Sequence, residues 1–333
     1  MIVPLIKNPD GSYSKIMEPA NIFDYYALNG FQFSNEIITR YATSLLTKPF
    51  VILTGISGTG KTKIAQLFAD YIHNGLAPTD RENRIAFIPV RPDWMDNKGL
   101  LGYHSILDNK YHAPKALRLL LEASRNENKG IPHFIILDEM NLAKVEHYFS
   151  DFLSIMETKT SNNPAGEPLT LHNQGNDIFT ADGIPIPSKL HIPENVFITG
   201  TVNIDESTYM FSPKVLDRAN VIEFNDVIFD ATNDPTATGT ADERSSLGNF
   251  SIQNPQHAQL VQILRATINQ QPTSHIRQHS SHGKEVTSIR KEIAAILSIL
   301  KQYNLHFGYR VIDEILRFTT LSVQHVNADD NFA

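Results

Sequence analysis

The eight residues Gly55-Ile56-Ser57-Gly58-Thr59-Gly60-Lys61-Thr62 constrain this 333-residue chain more than any other stretch. They fit G-x-x-x-x-G-K-[ST], with an apolar run, Phe50 to Thr54, directly before them and a helical pattern directly after. Small residues at these positions let consecutive backbone N–H groups point inward at the positive end of a helix dipole, which is a seat for phosphate oxygens. Lys61 is then placed to reach β- and γ-phosphates, and Thr62 offers a hydroxyl to Mg2+. The plainer reading, a glycine turn followed by an exposed lysine, leaves the order strand, loop, helix unexplained. The motif by itself says neither which base is bound nor whether the nucleotide is cleaved.

From Pro49 onward, short apolar runs alternate with stretches of helical period, which predicts an α/β fold with a parallel sheet between helices. Five strands are expected: Phe50 to Thr54, Ile85 to Val90, Phe134 to Leu137, Val196 to Val202 and Asn220 to Phe224. Ile64, Leu67, Phe68, Tyr71 and Ile72 recur at spacings of three and four and predict a helix ending at Asn74-Gly75. Further helices are expected over Pro114 to Ser124, with Pro114 in the first turn, and over Leu142 to Met156 as one element. Residues 158–193 are punctuated by proline and glycine and predict a β-hairpin insertion within a nucleotide-binding domain spanning 46–229.

Residues 230–256 are poor in apolar side chains and read as a flexible linker. Beyond it, His257 to Asn269, Glu285 to Tyr303 and Tyr309 to Val323 predict a small helical domain over 257–333. The N-terminal extension, 1–45, carries one expected helix, capped by Ser34 and running to about Thr47. The chain stops soon after its last helical stretch, at Asn331-Phe332-Ala333, which fits a piece of a longer protein.

Phe134 to Leu137 runs into Asp138-Glu139, and a parallel sheet delivers its C-terminal strand ends to the ligand crevice. There Asp138 is suited to the Mg2+ shell and Glu139 to polarising an attacking water. The alternative is an acidic pair capping the next helix. Val196 to Val202 ends in Asn203, from which a side chain can orient water or meet a γ-phosphate. Arg218 follows a short helix opened by Ser212-Pro213. It is a candidate finger for charge on a transferring phosphoryl group across a subunit boundary, or else half of a surface pair with Asp217. Arg310 starts the last helix, either reaching back to the nucleotide or lying on the helix surface.

Composition narrows the rest. Lys plus Arg is 29 against 36 for Asp plus Glu, a net charge of −7, so there is no general basic field for nucleic acid. With no cysteine, disulfides, thiolate metal sites and cysteine nucleophiles are excluded. The first residues lack a signal-peptide core and no apolar run is of membrane-spanning length, so a soluble cytoplasmic protein without membrane contact is expected. His275, His279 and His282 lie in a polar stretch without a frame and read as solvated loop. Pro92-Asp93 with Asp96-Asn97-Lys98 is spaced too tightly for a nuclease centre, and no DNA-reading motif is evident.

Taken together, Lys48-Pro49-Phe50-Val51-Ile52-Leu53 with its phosphate loop, Arg91-Pro92-Asp93-Trp94, Leu100-Leu101-Gly102-Tyr103, Asp138-Glu139-Met140-Asn141, Gly200 to Asp205, Phe211 to Arg218 and Phe307 to Glu314 resemble an AAA+ nucleoside triphosphatase. The resemblance is nearest to the McrB-type branch, motor subunits of modified-cytosine-dependent restriction systems. It implies a three-layer P-loop sandwich with a five-stranded parallel sheet, a helical lid, and a ring, taken as a hexamer, with nucleotide between subunits. By position, Gly55 to Thr62 are the Walker A loop, with Lys61 and Thr62 its acting pair. Asp138 and Glu139 are Walker B, Asn203 is sensor I, Arg218 is a trans-acting arginine and Arg310 aligns more loosely as sensor II.

Known members read Asn-Thr-x-Asp at sensor I, whereas here Ile204 alone separates Asn203 from Asp205, which puts a role for Asp205 in doubt. The resemblance further implies Mg2+, with ATP or GTP as substrate, a separate nuclease or effector subunit, and DNA contacted through another domain or subunit. Asn97-Lys98-Gly99 is followed by Leu100 in place of a guanine-reading carboxylate, and the base stays open. A chaperone-like remodeller of the MoxR kind and a nucleotide-gated scaffold with little hydrolysis are the competing readings.

Overall fold

The computed structural model describes the backbone of residues 5–7, 13–15, 21–158, 163, 165–174, 177–204, 209–224, 260–264, 283–302 and 309–326. The expected linker at 230–256, the three histidines at 275, 279 and 282, and Asp205 lie outside the described residues.

Five strands, β1 (Phe50–Gly55), β2 (Ile85–Pro89), β3 (His133–Asp138), β4 (Val196–Asn203) and β5 (Asn220–Phe224), form one parallel sheet in the order β5-β1-β4-β3-β2. Alternation along each strand sends successive side chains to opposite faces. Phe50 and Ile52 of β1, with Ile135 and Leu137 of β3, enter one apolar layer, while Val51, Leu53, Phe134 and Ile136 enter the other. Both faces are therefore covered, which explains why the strands read as continuous apolar runs.

The helices close these layers from two sides. Helices α1 (Ile22–Leu28), α2 (Asn35–Thr47) and α3 (Lys61–Ile72) pack on one face. On the other lie α4 (Lys115–Ala123), α5 (Val145–Tyr148) and α6 (Ser150–Thr158). Ser34 caps α2 as expected, its hydroxyl accepting the Ile37 N–H at 3.3 Å. Helix α1 is an addition to the single N-terminal helix foreseen; with two buried anchors, Ile22 and Tyr26, seven residues carry too little periodicity to stand out.

Pro114 occupies the N-cap of α4 rather than its first turn. The single helix expected from Leu142 to Met156 is broken into a 3-10 turn, Met140–Leu142, followed by α5 and α6. The break keeps the apolar face buried while the Tyr148 hydroxyl donates to the Met140 carbonyl at 2.8 Å and the Phe149 and Phe152 rings stack at 4.7 Å. Within the 158–193 insertion two strand pairs are nested, Leu169–Thr170 with Lys189–Leu190 and Ile178–Phe179 with Pro185–Ile186.

A four-residue helix, α7 (Pro213–Leu216), leads into β5, and α8 (Gly283–Gln302) and α9 (Tyr309–Val326) follow. Helix α9 packs on α2, with Glu314 paired to Lys48 at 2.5 Å and Arg317 donating to the Leu46 carbonyl at 3.1 Å. Among the described residues, no helix is long and apolar enough to cross a membrane.

Two imidazoles are buried beneath the sheet, His73 at the end of α3 (3 % exposed) and His133 at the start of β3 (0 %), and neither Nε2 has a hydrogen-bond partner. Burial, with smaller repulsion from Arg84, lowers His73 from 6.5 to about 3. Burial likewise lowers His133 to about 4, opposed by its bond to the Ile131 carbonyl. Both folded values lie below the unfolded one, so between pH 6.5 and about 4 the unfolded chain takes up protons that the folded chain refuses. The stability held by the neutral rings is full above pH 6.5 and falls with acid, by up to ~1.4 kcal/mol per pH unit for each ring. Urea unfolding at pH 7 and pH 5 is expected to show a loss on the order of 2 kcal/mol per imidazole; an unchanged unfolding free energy contradicts the assignment.

Candidate functional site

Strand β1 ends at Gly55, where φ is +142° and a Cβ would lie 2.3 Å from the Phe224 carbonyl oxygen of β5. Only glycine lets the loop leave the sheet this close to its edge strand. At the other end of the loop Gly60 caps α3 in the left-handed region, φ +89°, with the Phe33 ring 2.8 Å from where a Cβ would stand. No side chain caps α3, so its first N–H groups face the loop together with the positive end of its dipole.

Lys61, 4 % exposed, folds back over this loop. Its ammonium donates to the carbonyls of Gly55 at 2.9 Å and Ile56 at 2.5 Å. Burial lowers its pKa from the usual lysine value, and the Asp138 carboxylate opposes that shift. The ammonium's direct partners, the two carbonyls and the Thr59 hydroxyl at 3.4 Å, are all neutral, so an anion brought to the loop would add an opposite charge in direct contact with the lysine.

The parallel register brings the acidic pair to the same edge. Because β4 runs between β1 and β3, Asn203 stands beside Gly55 and Thr201 one residue beyond the Gly200–Leu137 pair. The Asp138 oxygen Oδ1 accepts from the Thr62 hydroxyl at 2.6 Å and from the Thr201 hydroxyl at 2.8 Å. Thr62 and Asp138 are hard oxygen donors a hydrogen bond apart, a donor set that suits Mg2+.

Glu139 sits at φ 51°, ψ 51°, an uncommon conformation for a non-glycine residue that costs about 1–3 kcal/mol and clusters at functional sites. Its N–H donates to Thr201 Oγ1 at 3.0 Å, and its Oε1 accepts from the Asn203 amide at 3.0 Å. Buried Asn141 completes the ring, its side-chain amide donating to the Asn203 carbonyl at 3.0 Å. The structure thus gathers Lys61, Thr62, Asp138, Glu139 and Asn203 at one edge. Thr201 and Asn141 are additions; Thr201 shares a strand face with Asn203 by period two, which is the signal that could have found it.

Arg218 is placed differently. It does not pair with Asp217: its guanidinium forms an ion pair with Glu157 and donates to the carbonyls of Leu153 at 2.9 Å and Lys214 at 2.6 Å, leaving 8 % of the side chain exposed. The short α7 turns the side chain back onto α6, where it meets the Leu153 carbonyl and the Glu157 carboxylate. Replacing Arg218 by alanine is therefore expected to destabilise the isolated chain by about 2 kcal/mol, read as a lower urea midpoint. An arginine free to serve a neighbouring subunit would leave that midpoint where it was. Arg310 lies in the first turn of α9, and its side chain is outside the described residues.

Comparison with known proteins adds distant likenesses. Residues 264–332 match a family described as a domain of unknown function, DUF8727. A search of curated proteins gives no significant match. Among solved structures, NtrX from Brucella abortus in complex with ADP is similar at 12 % identity and a TM-score of 0.30, over 56 % of this chain and 34 % of that one. The S. cerevisiae Hsp104-ADP complex is similar at 16 % identity and a TM-score of 0.29, over 62 % of this chain and 34 % of that one. The chain thus spans about a third of the length of either protein. Similarity this remote carries no statement about activity.

Proposed function

We propose that this chain is a Mg2+-dependent AAA+ nucleoside triphosphatase acting on ATP or GTP, and that it works as the ring-forming motor subunit of a McrBC-like restriction or defence complex beside a separate nuclease. The reading is carried by one observation: the Asp138 carboxylate is hydrogen-bonded to Thr62 at the start of α3, so the acidic strand end and the phosphate-type loop are one site. In this reading Gly55, Ile56, Ser57, Gly58, Thr59 and Gly60 present main-chain amides to the phosphates, and Lys61 exchanges its loop carbonyls for β- and γ-phosphate oxygens. Thr62 and Asp138 would hold Mg2+, which when bound neutralises charge on those oxygens.

Glu139 takes the proton of a water whose oxygen bonds to the γ-phosphorus as the bond to the β-bridging oxygen breaks. Asn203, bonded to Glu139, sets the carboxylate's direction. Arg218 and Arg310 are the arginines proposed to stabilise charge from a neighbouring subunit and from the helical lid; for Arg218 this requires release from Glu157 on assembly. The domain division proposed is the core over 46–229 and the lid over 257–333.

A second reading, a nucleotide-gated scaffold with little turnover, is favoured by the same Asn203–Glu139 bond, since it engages one carboxylate oxygen with an amide instead of with a water. Phosphate release with ATP and with GTP, together with size-exclusion chromatography in a slowly hydrolysed analogue of each, separates the two. Assembly with turnover supports the motor, assembly without turnover the scaffold. Neither nucleotide binding nor phosphate release, alone or beside the nuclease subunit, sinks both.

A further inference from the structure

Thr201 is buried to 2 % and lies on the central strand β4, between the strand that feeds the phosphate-type loop and the strand that ends in the acidic pair. A threonine hydroxyl has one proton to give and two lone pairs to offer. Here the proton goes to Asp138 Oδ1 at 2.8 Å and a lone pair takes the Glu139 N–H at 3.0 Å. One buried oxygen therefore touches both acidic residues, the first through its carboxylate and the second through its backbone.

Each bond has a distinct consequence. Asp138 Oδ1 is gripped from two directions, by Thr62 from α3 and by Thr201 from the sheet. The N–H of Glu139 belongs to a residue in the left-handed region, and Thr201 is its acceptor there. Neighbouring Gly200 lets this strand segment lie close under Met140, whose sulfur would be 2.4 Å from a Cβ at that position. The Glu139 N–H and the Met140 side chain thus lie against residues 200–201.

We infer that Thr201 is a positioning residue for the metal-holding and water-activating pair, fixing through a single hydroxyl both the direction of the Asp138 carboxylate and the backbone turn that presents Glu139. This rests on the nucleotide-site reading above. Groups that orient metal ligands from behind typically change metal affinity or activity by 10- to 100-fold when removed.

The test uses the full chain and fluorescent, slowly hydrolysed analogues of ATP and GTP, titrated with and without Mg2+, alongside phosphate release. Thr201→Val keeps the branched shape and removes the hydroxyl; it is expected to raise the Mg2+ concentration for half-maximal binding by about tenfold and to lower phosphate release on the order of 10- to 100-fold. Analogue affinity without Mg2+ stays within about twofold, and Thr201→Ser restores both parameters to within about threefold of the parent, since the hydroxyl alone carries the effect. If the valine variant does not fold, Thr201→Ala makes the same deletion without the branch. A merely structural threonine would instead weaken Mg2+-free and Mg2+-dependent binding in parallel, and that result overturns the inference. Parent-like Mg2+ dependence in a valine or alanine variant overturns it too, while the site reading stands. A parent chain that binds neither analogue overturns the site reading and this inference together.

Discussion

Glu139→Gln is expected to lower phosphate release on the order of 10²- to 10⁴-fold, the usual range for removing a general base, while nucleotide binding stays within a few-fold of the parent. The substitution keeps the shape and the left-handed backbone, whose N–H still donates to Thr201. It changes the end of the side chain: Oε1 now accepts from the Asn203 amide at 3.0 Å, and a glutamine can keep that acceptor through its own carbonyl. What it cannot do is take a proton from water. Single-turnover phosphate release beside equilibrium binding separates the two effects. A variant that hydrolyses at the parent's rate removes Glu139 from the chemistry, however well it is placed.

Lys61→Ala is expected to weaken binding of either triphosphate on the order of 10- to 100-fold, the range that follows from losing charge-assisted hydrogen bonds. In the structure the ammonium is spent on the Gly55 and Ile56 carbonyls. Alanine also removes the ammonium's two bonds to those carbonyls, which keep the Ile204 N–H at 3.3 Å and the Thr59 hydroxyl at 2.9 Å as donors, and should lower the melting temperature of the free chain by the two lost bonds, a cost of about 1–3 kcal/mol. Fluorescence titration of the slowly hydrolysed analogues and thermal unfolding without nucleotide read the two losses separately. Unchanged affinity alongside a lowered melting temperature would mean that Lys61 serves the loop and not a ligand.

Much of the core architecture was open to reading from residues alone, and the reasons are local. All five expected strands form at nearly the expected bounds: the central strands β1, β3 and β4 are covered on both faces and are apolar almost throughout, while the edge strand β5 alternates, burying Ile222 and Phe224 and exposing Val221 and Glu223. Helix α3 buries Ile64, Leu67, Phe68, Tyr71 and Ile72, the face its spacing predicts. The stretch from Leu142 to Met156 shows the limit of that logic. Its period reports which side chains are buried, and Val145, Phe149, Phe152 and Leu153 are, yet the backbone breaks between α5 and α6 without disturbing them. Burial period and helical continuity are separate properties.

The site divides the same way. Sequence alone determined the phosphate-type loop, the strand that ends in Asp138-Glu139 and the polar end at Asn203, since each is a short-range pattern in which neighbouring residues set the backbone. Only the tertiary structure decided that β4 lies between β1 and β3, and with it that Thr201 bridges the acidic pair and Asn203 meets Glu139 across 64 residues of chain. It also decided that Arg218 is tied to Glu157 rather than to its neighbour Asp217. Strand order and the turn of a four-residue helix follow from how two apolar layers close around one sheet, and that closure is a sum over the whole chain that no local pattern encodes.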